Sequence, residues 1–113
     1  MKEFLFIYRT DQKKFAQRSP EEMQAATKKW MDWVGSIAAQ NKLSSRGNRL
    51  ESTGKVLKPG NVITDGPYME LKESVGGYSI VKADSLDEAT EMAKGCPALE
   101  FGGMVEVREI SVL

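Results

Sequence analysis

Gly77-Tyr78-Ser79-Ile80-Val81-Lys82-Ala83, followed after one residue by Ser85-Leu86-Asp87-Glu88, decides the fold. Aromatic and β-branched side chains favour a pleated surface, so the first stretch predicts a strand. The second is a capping box: the Ser85 side chain is placed to accept from a backbone N–H at Glu88, and Glu88 to reach back. A short helix through Ala89, Met92 and Ala93 follows, with Gly95 as its C-terminal stop and Pro97 just beyond.

Upstream the same grammar recurs. Glu3-Phe4-Leu5-Phe6-Ile7-Tyr8 reads as strand one. Its two faces, Phe4/Phe6/Tyr8 and Leu5/Ile7, are both apolar, which predicts a strand covered on both sides. Ser19-Pro20-Glu21-Glu22 is again a capping box with proline at the first helical position. Met23, Ala26, Trp30, Trp33, Val34 and Ile37 then recur at three- and four-residue steps, an apolar stripe running to about Gln40. Gly103 to Ile110 alternates as a last strand. In the glycine-interrupted stretch from Leu43 to Pro67 we read a strand near Arg46 to Leu50, then a hairpin-like excursion through Val56, Leu57 and Val62 to Thr64.

The resulting order β, α, β, β, α, β is the α+β, ferredoxin-like arrangement, in which two helices cover one face of a four-stranded antiparallel sheet. The other face is bare, and a second copy laid sheet to sheet covers it, so a homodimer is expected. With neither repeat nor linker, residues 1–113 form one domain.

Sixteen Lys and Arg balance sixteen Asp and Glu, and histidine is absent. No net field draws nucleic acid or an anionic membrane, so direct nucleic-acid binding is not expected. Met1 to Phe6 run too soon into the charged stretch Arg9 to Lys14 to be a secretory segment, and no apolar run approaches a membrane span; a cytoplasmic protein with a single cysteine is expected. Without histidine, zinc, copper and haem lose their common ligands, and neither a metal nor another cofactor is expected. No Gly-x-Gly-x-x-Gly or P-loop pattern occurs.

Thr64-Asp65-Gly66-Pro67-Tyr68-Met69-Glu70-Leu71-Lys72-Glu73-Ser74-Val75-Gly76-Gly77-Tyr78 closely resembles the signature of the YciI-like, DGPF-containing family. The likeness continues through Cys96-Pro97 and Gly103 to Arg108; the N-terminal half fits in outline. The resemblance implies a dimeric α+β barrel with clefts between sheet and loops. Tyr68 stands where the family usually has phenylalanine. Some relatives are described as using a His-Asp pair, and one branch removes chloride from hydroxylated aromatics; with no histidine here that pair is not carried over, though Asp65 matches the acidic position. Other relatives sit beside or within sigma factors, which implies a transcription-linked role.

Asp65-Gly66-Pro67 is a turn by composition, and the functional reading of Asp65 is a catalytic carboxylate lining the cleft. Glu70, Lys72 and Glu73 form a mixed-charge cluster that reads as a solvated face or as ligand-binding groups turned inward. On the last strand, alternation separates Val105 and Val107 from Met104, Glu106 and Arg108, so valines toward the helices send Arg108 to the dimer side. There its planar guanidinium either closes a structural ion pair or holds a carboxylate of Asp65, Glu70 or a ligand. Tyr78 is a further ligand-binding candidate. Trp30 and Trp33 read as core, with one indole N–H able to reach the pocket wall. Cys96, beyond a helix C-terminus, reads as small, buried and apolar. Gly76-Gly77 reads as a bulge or a close backbone approach.

Three functions fit: a small-molecule binder with clefts lined by Asp65, Arg108 and Tyr78; a lyase or isomerase using a carboxylate base on a small phenolic or carboxylated compound; and a transcription-linked interaction module. An ordinary carboxylate is poorly matched to neutral pH unless burial raises its pKa, which counts against the second.

Overall fold

A computed structural model describes residues 1–11, 17–66 and 74–113. Strand β1 (Lys2–Thr10) leads to helix α1 (Pro20–Ala39), then the short strand β2 (Leu43–Ser45). A ribbon of β3 (Gly54–Lys58) and β4 (Val62–Gly66) follows, then β5 (Ser74–Ala83) and helix α2 (Leu86–Ala93). A 3-10 turn (Pro97–Phe101) leads into β6 (Met104–Glu109). Four strands form an antiparallel sheet in the order β2-β5-β1-β6, and among the described residues β3 and β4 pair with each other as a separate ribbon. The fold is α+β and ferredoxin-like, as the order of elements predicts, with the ribbon inserted between the second and third strands of the sheet.

Both helices start at the serines that the sequence marks as caps, the first with both halves of its capping box and the second with the serine half alone, Glu88 accepting from the N–H of Asp84 at 3.4 Å instead. Ser19 accepts from the backbone N–H of Glu22 at 3.1 Å, and Glu22 accepts from that of Ser19 at 3.2 Å. Ser85 accepts from the N–H of Glu88 at 3.1 Å. Helix α1 ends as Asn41 takes a left-handed φ of 64°, a conformation asparagine tolerates better than most residues.

Phe4, Phe6 and Tyr8 point to one face of β1 and stand opposite Val81, Ser79 and Gly77 of β5. With Val81, Ala83, Ile37 of α1 and Ala89 and Ala93 of α2 they form the buried core, against which Trp33, Val105 and Val107 pack. The helices therefore cover this face. Leu5, Ile7, Tyr78 and Ile80 alternate to the other face, where they are half-buried, and Glu106 and Arg108 stand beside Ile7 and Leu5. The expected split of the last strand holds: valines toward the helices, charges on the open face.

Two readings need correction. The regular second strand is Leu43–Ser45, not Arg46 to Leu50. Gly47 has a φ of 68°, which breaks the strand, and only Arg49 returns to pair, bridging Gly77. The segment is nonetheless tied to β5, because Leu50 donates to Gly76 O at 2.9 Å and Tyr78 donates to Asn48 O at 3.2 Å. Asp65 and Gly66 are strand rather than turn, paired with Lys55 and Gly54. The chain reverses earlier, at Pro59-Gly60-Asn61, where Gly60 and Asn61 supply the positive φ values of 84° and 61°. Pro67, Glu70, Lys72 and Glu73 lie outside the described residues.

Gly76-Gly77 behaves as read. The β1–β5 register passes from Tyr8 opposite Gly77 to Arg9 opposite Val75, which leaves Gly76 as the extra residue of a bulge.

Candidate functional site

The two glycines open a space. Opposite Tyr8, β5 carries no side chain on the helix face, and the N-terminal half of α1 stands across the gap. The result is a cavity of about 580 Å³, in the range typical of small-molecule sites. Gly76 to Ser79 and the Gly47–Arg49 segment bound it on one side, and Met23, Ala26, Trp30 and Val34 on the other. Close backbone approach makes the glycines necessary. A Cβ on Gly77 would lie 2.9 Å from Asn48 O, and one on Gly47 would lie 1.8 Å from Tyr78 O.

Aromatic packing holds the wall. Trp30 meets Tyr8 edge-on with centroids 4.6 Å apart, and Trp33 at 5.6 Å. Trp33 is fixed in turn by stacking on Phe6 at 6.0 Å and by donating its indole N–H to Met92 O at 3.2 Å. Both indoles pack against the core as the helical spacing implies, but Trp30 also lines the cavity.

At the rim, the Arg18 guanidinium lies 4.1 Å from the centroid of Phe101, within cation–π range. Arg46 and Arg49 line the other side, and Asp11 is the acidic residue of the described lining.

Tyr8 is the chemically unusual member. Its side chain is 6% exposed, and its hydroxyl has no hydrogen-bond partner among the described residues. Burial pushes its phenol pKa up. The Ser79 hydroxyl, which donates to Arg46 O at 2.7 Å, lies near enough to oppose this in part without closing a hydrogen bond to the phenol. A buried hydroxyl left unpaired costs about 1–3 kcal/mol.

Of the residues singled out in the sequence, Tyr78 belongs to the β5 stretch that bounds this cavity, although the alternation of the strand turns its side chain to the open face. Asp65 sits on the ribbon, 94% exposed at its side chain, with its carboxylate 2.7 Å from Lys55 Nζ. Arg108, on the open face and 69% exposed, contacts Glu106 at 3.3 Å. Glu106 also takes two bonds from Arg9, at 3.0 and 3.2 Å, and these, with Arg108, hold its carboxyl below the usual carboxylate range. Within the described residues Asp65 and Arg108 thus each contact a different partner. Among those residues no group of three or more His, Cys, Asp or Glu stands ready for a metal ion, and no helix is long and apolar enough to cross a membrane.

Tyr8, Arg18 and Gly47–Arg49 were not read as site residues, and Trp30 was read with Trp33 as core, one of the two indoles able to reach the pocket wall. Tyr8 and Trp30 fit a strand and a helix stripe so well that a core role accounts for them. The signal available was the pair of glycines at 76 and 77, which becomes a cavity only once the sheet register sets Gly77 opposite Tyr8.

Fold and site define a small α+β domain with an aromatic-walled cavity between its first helix and its sheet. The chain belongs to the YCII-related family: the family model of the YCII-related domain matches residues 1–113. No curated protein matches it. A similar solved structure is 5-chloro-2-hydroxyhydroquinone dehydrochlorinase (TftG) from Burkholderia phenoliruptrix AC1100, in complex with 2,5-dihydroxybenzoquinone. The likeness covers 96% of this chain and 93% of that one, with 18% identity and a TM-score of 0.43.

Proposed function

We propose that this protein binds a small organic molecule in the cavity between α1 and the sheet, as one half of a homodimer. The observation that carries the reading is the cavity itself: a space of ligand size with apolar walls, a buried unpaired hydroxyl and a polar rim. Trp30 provides the test. In a Trp33→Phe variant it is the remaining indole, since the chain has two tryptophans. A metabolite library should contain a compound that raises the melting temperature and also shifts Trp30 emission. At a hundredfold excess over its Kd such a ligand stabilises by about 2.7 kcal/mol. A library without any stabilising compound, or stabilisation that leaves Trp30 emission unchanged, overturns the assignment.

The homodimer rests on the open sheet face, where half-buried Leu5, Ile7, Tyr78 and Ile80 lack a covering layer among the described residues. In this arrangement Arg108 faces the interface. Asp65 is proposed as the carboxylate that meets it there, with Glu70, Lys72 and Glu73 of the following segment as the other groups of the cleft.

The enzymatic alternative calls for a carboxylate base. Asp65, exposed and tied to Lys55, lacks the burial such a base needs, whereas Asp11 lies in the cavity lining.

A further inference from the structure

Native proteins seldom leave a buried hydroxyl without a partner, and each exception calls for a reason. Phenylalanine would fill the place of Tyr8 without burying an oxygen, yet this chain sets a phenol there, deep on the helix face of β1 and against the cavity wall. The hydroxyl is the one buried side-chain oxygen or nitrogen among the described residues that lacks a hydrogen bond. The rest of the lining has its own chemistry. Trp30, Ala26 and Val34 offer an apolar wall across from the glycines of β5, and the indole in that wall favours a flat body against it. Among the described residues of the lining stand three guanidinium groups, Arg18, Arg46 and Arg49, and one carboxylate, that of Asp11. An excess of basic side chains in the described lining favours an anion.

We propose that the Tyr8 hydroxyl is the inner hydrogen-bond donor of the cavity, and that the ligand is a small flat organic anion with an acceptor oxygen at the end away from its charge. This rests on the cavity being the ligand site. The Trp30 indole, packed edge-on against the phenol at 4.6 Å, shifts as the ligand enters and lets the acceptor reach the hydroxyl. Because burial holds the phenol protonated, Tyr8 gives a hydrogen bond and takes no proton from the ligand. It is a specificity residue, not a general base.

Three probes separate the parts of the proposal by calorimetric titration: 4-acetylbenzoate, with charge and acceptor; 4-ethylbenzoate, with charge alone; and 4-ethylacetophenone, with the acceptor alone. The wild-type protein should prefer the first over each of the others by about tenfold. Tyr8→Phe should lose the preference for the acetyl over the ethyl group, keep the preference for the anion, and melt no lower than the wild type in the absence of ligand. A Tyr8→Phe variant that still discriminates acetyl from ethyl overturns the proposal, as does one that melts lower, since the hydroxyl would then have a structural partner. If none of the three binds the wild type, this ligand class is wrong, and the library hits at Trp30 decide separately whether the cavity reading stands.

Discussion

Cys96 shows how far one side chain's chemistry follows from its place. It lies just after α2, is 2% exposed, and belongs to the core cluster with Phe4 and Phe6. Burial pushes its thiol up to about 12 from an ordinary 9.0, so at pH 8 it holds about a thousandth of the usual thiolate. Alkylation by iodoacetamide at pH 8 should therefore be slower in the native protein than in urea by about that factor or more. A native rate within tenfold of the unfolded one would show that the thiol is not enclosed as described. At this scale the sequence was informative: a cysteine beyond a helix C-terminus, where the dipole disfavours a thiolate, reads as inert. Asp65 was less legible. Asp-Gly-Pro has turn composition, but Pro59-Gly60-Asn61 reverses the chain first, and Asp65 is carried into the returning strand opposite Lys55. Local propensity had two places to put the turn, and pairing across the ribbon chose between them.

Among the elements, β6 and β1 are joined on the open face by one carboxylate between two guanidinium groups, Arg9–Glu106–Arg108. The folded pKa of Glu106 is depressed, chiefly by hydrogen bonds from Arg9 and then from Arg108. Its stabilising contribution is therefore present above the ordinary value near 4.5 and is lost as the pH falls through the lower folded value. Glu106→Gln should lower stability at pH 7, and the difference from the wild type should shrink in acid, as urea unfolding at pH 7 and pH 3 would record. An unchanged difference at both values would remove the pair from the account. The helices were readable almost to the residue because capping boxes are local chemistry, fixed by side chains three positions apart. Strand β2 was not, because its limit is set by contact with β5: the left-handed Gly47 exists to let the backbone pass over Tyr78.

For the molecule as a whole, the two apolar faces of β1 lead to a prediction about assembly. Light scattering at micromolar concentration should return twice the chain's 12.6 kDa, and Ile7→Lys, on the open face, should return the single value while far-UV circular dichroism stays native. Within the dimer, Arg108→Asp should weaken association and a second change, Asp65→Arg, should restore part of it. A wild-type mass of 12.6 kDa would end this reading. The cavity was the least legible feature. It is made of what is missing from β5 at 76 and 77, and of a helix whose apolar stripe looks the same whether it meets a sheet or a space.

The strand order carries one more consequence. β1 is synthesised before everything it pairs with, yet it lies at the interior of the sheet, between β5 and β6, whose residues begin at Ser74 and Met104. Phe4 and Phe6 thus wait for strands made some seventy and a hundred residues later to bury them, and the pairing that closes the sheet joins widely separated parts of the chain. Non-local closure of this kind is slow and leaves apolar surface open to other molecules in the meantime. On the ribosome, a strand made before both of its partners is among the last to find its neighbours.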